Sequence, residues 1–191
     1  MSTTNLFVEL LIVGIGAFFW ILLVVLGVMN VSIESTTILF EIKYFIPLIS
    51  IIYVLGIVID RVADSVFDKL WGNKIRNSIF PDRNNYYRAR SLIFSSSEAI
   101  SDLLEYNRSR LRICRGWTLN SMMMILSLNL YALRKISPSD EIVLLSSVVL
   151  LLFSVGAWYA WRNILKKEYG KTKHQADLIM QKDTKTEGPT K

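Results

Sequence analysis

Four arginines, Arg108, Arg110, Arg112 and Arg115, fall within eight positions, and three aspartates, Asp60, Asp64 and Asp68, recur at every fourth residue earlier in the chain. Guanidinium groups spaced this way can grip a phosphate or carboxylate with paired donors, hold anionic lipid headgroups, or pair with carboxylates of their own chain. No glycine-rich phosphate loop accompanies them, and residues 60–116 also hold seven acids, so this segment makes a poor nucleic-acid track. The aspartates could ring a cation pore in an oligomer or ligate a divalent ion, but one helical stripe with no histidine nearby is weak for a metal. We expect the two stripes to pair with each other, with anionic headgroups as further partners of the arginines.

Three other polar residues sit inside apolar sequence: Glu9, Asn120 and Ser127. Groups at such positions either mark a permeation path or bond across a helix interface. Catalysis is hard to assemble. Cys114 is the only cysteine and His174 the only histidine, and no nucleophile elbow, phosphate loop or metal-ligand spacing occurs. Cys114 lies on the apolar side of its predicted helix, which argues for packing over reactivity. We expect no enzyme, no cofactor, no metal and no nucleic-acid partner.

The elements that must position these residues follow from hydropathy. The chain has 191 residues, 52% of them apolar, too apolar for an ordinary soluble protein of this size. Leu10 to Met29 and Ile142 to Trp161 are uncharged runs of 20 residues, which at about 1.5 Å per residue match a hydrocarbon core roughly 30 Å thick. Tyr44 to Ile59 and Trp117 to Leu133 are shorter runs of 16 and 17 residues, the second carrying Asn120, Ser121, Ser127 and Asn129. The expected fold is therefore all-α, an integral membrane protein with four transmembrane helices. No cleavable signal peptide is expected, because the start lacks a basic region and the first run is long. Small residues, Gly14 and Ala17 in the first run and Gly156 and Ala160 in the last, offer faces for close packing.

Charge sets the expected orientation. Residues 60–116 carry 11 of the 22 Lys and Arg residues and the tail from Arg162 carries eight, leaving three for the short connections. By the positive-inside rule, the central segment, the tail and both termini are cytoplasmic, in a plasma or inner membrane. The chain divides into spans one and two (1–59), a cytoplasmic segment (60–116), spans three and four (117–163), and a basic, largely disordered tail (164–191).

Apolar pairs Val62 and Ala63, Val66 and Phe67, and Leu70 and Trp71 continue the second run as an amphipathic helix, with a kink or end at Gly72-Asn73. Pro81 to Asn85 reads as a turn. The return leg, from Tyr86 to Arg115, is a second amphipathic helix that could restart at Ser96 behind a Ser95-to-Glu98 capping box. Together they form an expected antiparallel helical hairpin. If Asp60 and Arg115 mark the same height, Asp64 lies level with about Leu111 and Asp68 with about Asn107, and Gly116-Trp117 acts as a hinge. Arg110 points away from its three neighbours and cannot share their ladder.

The layout resembles small channel-type proteins and the membrane effectors of bacterial antiviral systems, in architecture alone and with no shared motif. The function expected is a homo-oligomeric pore, channel-like or membrane-perturbing component, gated or assembled through its cytoplasmic hairpin. The alternative is a membrane anchor or adaptor recruiting a cytoplasmic protein partner, with a small transporter third.

Overall fold

The computed structural model describes residues 3–30, 45–96, 98–133 and 140–186, and the regular structure among them is entirely helical. The helices are α1 (Thr3–Met29), α2 (Phe45–Phe67), α3 (Asn73–Asn77), α4 (Arg83–Ser96), α5 (Glu98–Leu133) and α6 (Asp140–Thr186). α1 is built on the first apolar run and stops where Asn30 turns left-handed at φ 58°, a conformation asparagine tolerates better than bulkier residues.

Three continuous helical segments, Leu6–Met29, Ile46–Asn77 and Glu141–Gln181, each contain a shorter apolar stretch long enough to cross a membrane. They fit a membrane-embedded protein. The expected fourth run, Trp117 to Leu133, is helical within α5 but does not join them, because Asn120, Ser121 and Asn129 dilute its apolar character. α5 instead lies at the centre, packed along α1 and α6 and more briefly against α2. Thr118, Asn120, Ser121 and Ser127 turn inward and Asn129 stays exposed, while only 11% of the most apolar part of α6 is buried.

α2 continues past Ile59 without a break, as its periodicity predicts. At Gly72-Asn73 the helical backbone does not end: residues Asp68–Gly72 make one π-helical turn, the kind of distortion that accompanies kinks, and pass into α3. A Cβ on Gly72 would lie 2.5 Å from Asp68 Oδ1, the end of an exposed side chain that can rotate away. The turn at Pro81 is present, and Asp82 Oδ1 accepts the Arg83 N–H at 2.6 Å as α4 begins. On the return leg α4 is described as far as Ser96 and α5 from Glu98; Ser97 between them, and the side chains of the expected Ser95-to-Glu98 capping box, lie outside the described residues. Gly116-Trp117 is no hinge. It lies mid-helix in α5, and Gly116 is small because Val13 of α1 packs on it, 2.8 Å from where a Cβ would be.

The largest departure from expectation is the tail. α6 runs on to Thr186 in place of a disordered segment from 164. Trp161, Leu165, Glu168, Tyr169, Thr172 and Ala176 are all buried, spaced at three and four residues, so an apolar stripe continues well past the uncharged run. Lys173 Nζ donates to the carbonyl of Ile79 at 3.2 Å, tying α6 to the end of α3. The expected two-helix hairpin is thus a layer of several helices. Its core joins Phe67 of α2, Phe80 of the turn, Tyr86 and Ala89 of α4, Leu111 of α5 and the α6 stripe.

Candidate functional site: an ionic network and cavity where the apolar stretches end

At the foot of the apolar stretches, α2 presents Asp60 and Asp64 one turn apart toward Arg112 and Arg115 of α5. Arg115 donates from Nη2 to Asp60 Oδ1 at 2.9 Å and from Nη1 to Asp64 Oδ1. Arg112 Nη1 donates to Glu9 Oε2 of α1 at 2.5 Å, and its Nε stands 3.5 Å from Asp60 Oδ2. Two guanidinium groups therefore face three carboxyl groups drawn from two other helices. Glu9 and Asp60 are only 5% and 7% exposed. Ion pairs buried to this degree gain little net stability, but removing one partner strands the other's charge and is costly.

The expected pairing of Asp60 with Arg115 is present, while the rest of the ladder is rearranged. Asp64 shares Arg115 and does not meet Arg112, because Glu9 and Asp60 already occupy Arg112. Arg108 turns to α6, its Nε 4.0 Å from Glu168 Oε1. Asp68 is exposed and makes no ion pair among the described residues. Arg110 stands apart, as its helical position predicts: it is exposed, with its guanidinium 5.8 Å from the centroid of the Tyr106 ring. Cys114 packs against the layer's core, and burial pushes its thiol upward against the pull of Arg110.

A cavity of about 320 Å³ opens between α2, α4, α5 and α6 directly beside this network. Asp60, Asp64, Asp68 and Glu168 line it opposite Arg61, Arg108, Arg112 and Arg115, four acids and four bases. Its remaining walls include Phe67, Tyr86, Trp161 and Tyr169. Glu168 is 5% exposed, and its Oε2 has no hydrogen-bond partner. Burial pushes this carboxyl up from its ordinary 4.5, with Arg108 and Arg90 pulling it back. Burial, with Tyr86 and Asp68 adding to it, also holds the Tyr169 hydroxyl well above its ordinary range, so it stays a neutral donor. Arg112 Nε and Arg115 Nε are likewise buried without a hydrogen-bond acceptor.

Within the apolar zone the polar candidates are used differently. Asn120 is fully buried between α1 and α5, accepting from Trp20 Nε1 at 3.2 Å and donating to the Val13 carbonyl at 2.8 Å. Gly16 leaves room for it, since a Cβ there would lie 2.6 Å from Asn120 Nδ2. Ser127 bonds back to the Met124 carbonyl of its own helix and is buried. Toward α6, Ser154 donates to the Thr118 carbonyl and Asn129 donates to Ser147 Oγ. Asn120, Asn129 and Ser154 join helices, whereas Ser127 does not make the expected bond across an interface; both Asn120 and Ser127 are buried within the single chain.

The sequence pattern did not single out Glu168, Tyr169, Tyr86 or Trp20. For the first two a signal existed, the three-and-four spacing from Trp161 to Ala176. Trp20 and Tyr86 had none, because an aromatic in an apolar run or beside a turn looks alike with or without a partner. Among the described residues, no group of three or more acids, histidines or cysteines is arranged to hold a metal ion. Comparison with protein-family models, with curated proteins and with solved structures finds no match for this chain.

Proposed function

We propose that the chain is a multi-pass membrane protein in which α1, α2, α5 and α6 all cross the bilayer and the polar helical layer faces the cytoplasm with both termini. In this reading the layer is the sensing or assembly element of a homo-oligomer whose spans form or gate a permeation path. The observation that carries it is the network of Glu9, Arg112, Asp60, Arg115 and Asp64. It links α1, α2 and α5 at one level, so a movement of α5 in the layer is passed to two spans. The excess of Lys and Arg in residues 60–116 and in the tail supports the orientation. Because Asn120 is bonded to α1 and Ser127 is buried and bonded back to its own helix, the path in this reading runs between copies of the chain.

The test is the conductance of planar bilayers containing the purified full-length protein. We expect ion conductance that Arg115→Gln alters in gating while the protein stays folded and monodisperse. Membranes that remain impermeable across a range of voltages and protein amounts overturn the reading.

A second reading, an anchor or adaptor for a cytoplasmic protein, is favoured by Tyr87, Phe94 and Tyr106, exposed aromatic residues on α4 and α5 outside the apolar stretches. It predicts a stable co-purifying protein that is lost when these three are replaced by serine. If nothing co-purifies, the adaptor reading fails.

A further inference from the structure

The cavity beside the ionic network is lined by equal numbers of acidic and basic side chains, and some of these side chains carry buried polar atoms without a hydrogen bond. On the acceptor side, Glu168 Oε2 is buried and bonds to nothing. The donors are Arg112 Nε and Arg115 Nε, buried and without acceptors, and Arg108 approaches Glu168 only to 4.0 Å. These atoms are closed off from the cavity as the side chains stand, so a ligand would meet the balanced charge of the lining, and one that carries both charges is the simplest complement. A simple anion would meet the arginines but also four carboxyl groups, and a simple cation would face the reverse. Aromatic walls suit an ammonium group, which gains from the face of a ring. A volume of about 320 Å³ admits a molecule the size of an amino acid and lies at the small end of ligand sites.

We infer that this cavity binds a small zwitterion, an ammonium group and an anionic oxygen group on one short frame, with the amine toward Glu168 and the anion toward Arg108, Arg112 and Arg115. Two sources share this chemistry: a free amino acid, and the phosphoethanolamine headgroup of a lipid, since the cavity opens where the apolar stretches end. Occupancy would draw α5 and α6 together across the cavity. As an input to the sensing layer the inference rests on the function proposed above, but binding itself can be measured without any conductance.

The experiment titrates the full-length protein in detergent by calorimetry with γ-aminobutyrate, O-phosphoethanolamine, n-butylamine and butyrate. A parallel arm measures phosphatidylethanolamine retained through purification by native mass spectrometry. Saturable binding of a zwitterion, about tenfold or more tighter than of either singly charged probe, is expected, since each charge-assisted hydrogen bond carries roughly that factor. Glu168→Gln should weaken zwitterion and amine by a similar factor, leave butyrate unaffected and unfold thermally no earlier than the parent protein at neutral pH, whereas Asp177→Asn, on α6 but outside this cavity, should leave binding unchanged. Retention of phosphatidylethanolamine that Glu168→Gln abolishes supports the headgroup source. Saturable γ-aminobutyrate binding with no retained lipid supports the free amino acid. The inference is overturned if neither zwitterion binds and no such lipid is retained, if a singly charged probe binds as tightly, or if Glu168→Gln has no effect. If bilayers stay impermeable while the zwitterion binds, the permeation reading falls and the site stands.

Discussion

Between α1 and α5, the amide of Asn120 is used at both ends, accepting from Trp20 and donating to the Val13 carbonyl in a space cleared by Gly16. Where the apolar stretches end, Glu168 is almost as deeply buried yet leaves one oxygen without a partner, and two arginines leave a buried N–H unused. The upper seam is neutral and its central amide is bonded at both ends; the lower cavity is charged and only partly satisfied. A satisfied amide in an apolar setting has one good arrangement, so it fixes register between helices. A balanced set of charges around open volume has several, so it can respond to what enters. The difference marks the upper seam as scaffold and the lower cavity as the place to look for a ligand.

That contrast can be broken most severely at the crossing of α1 and α2, which underlies both regions. A Cβ on Gly14 would lie 1.9 Å from the Ile52 carbonyl oxygen, and one on Gly56 would lie 2.0 Å from that of Leu10. Backbone cannot yield as a side chain can, so Gly14→Ala should cost about 3 kcal/mol or more, as in severe overpacking. Loss of a monodisperse species and a sharp fall in thermal stability would register it; an unchanged melting temperature would mean the two helices do not cross this closely.

Next in size is the network. Arg115→Gln strands Asp60 and half-exposed Asp64, and breaking such a pair should cost about 3 kcal/mol, less whatever solvent recovers at Asp64. The double change Arg115→Asp with Asp64→Arg should recover part of that loss in denaturation measurements. The pairing of Arg112 with Glu9 predicts no such rescue when Asp64→Arg is combined with Arg112→Asp.

The upper seam should respond more mildly and without regard to pH. Asn120→Leu leaves the Trp20 N–H buried and unpaired, worth about 2 kcal/mol, and the loss measured by thermal unfolding should be the same from acid to neutral conditions. A pH-dependent loss would blur the distinction between the two regions.

The smallest effect belongs to Glu168. Its folded-state carboxyl is raised above the ordinary 4.5, so the protonated form is favoured by folding. Its contribution is full below that ordinary value and is lost as pH rises through the raised one. Glu168→Gln should therefore flatten the decline in melting temperature with rising pH and leave the protein slightly more stable at neutral pH. A variant that keeps the wild-type pH profile would show that the carboxyl is solvated.

Asp60, Asp64, Arg112 and Arg115 could be read as partners from spacing alone, because a stripe every three or four residues on each of two helices entering the same boundary leaves few alternatives. Arg110's separation from them follows from the same arithmetic. Glu9 could be flagged as an acid in an apolar run, but its partner lies 103 positions away, and no local pattern encodes that distance. Gly14 was visible as a small residue, whereas its reciprocal contact with Gly56 depends on where two helices cross. Gly156 looked equivalent, yet a Cβ on it would touch nothing within 4 Å.

By itself, the sequence determined the helices, since hydrophobic periodicity and turn residues act over a few positions. It also determined the apolar stretches and the clustering of charge where they end. The tertiary structure alone decided that α5, the most polar of the long apolar-containing helices, would lie at the centre. Asn120 bonds to α1 and Asn129 to α6 there, while its hydroxyls donate back to carbonyls of α5 itself, and a polar group left unpaired in an apolar environment would cost several kcal/mol. It decided as well that α6 would stay helical to Thr186 and carry Glu168 into the layer. A stripe with so many charged residues around it becomes a core only when Phe67, Phe80, Tyr86 and Leu111 of other helices are there to cover it.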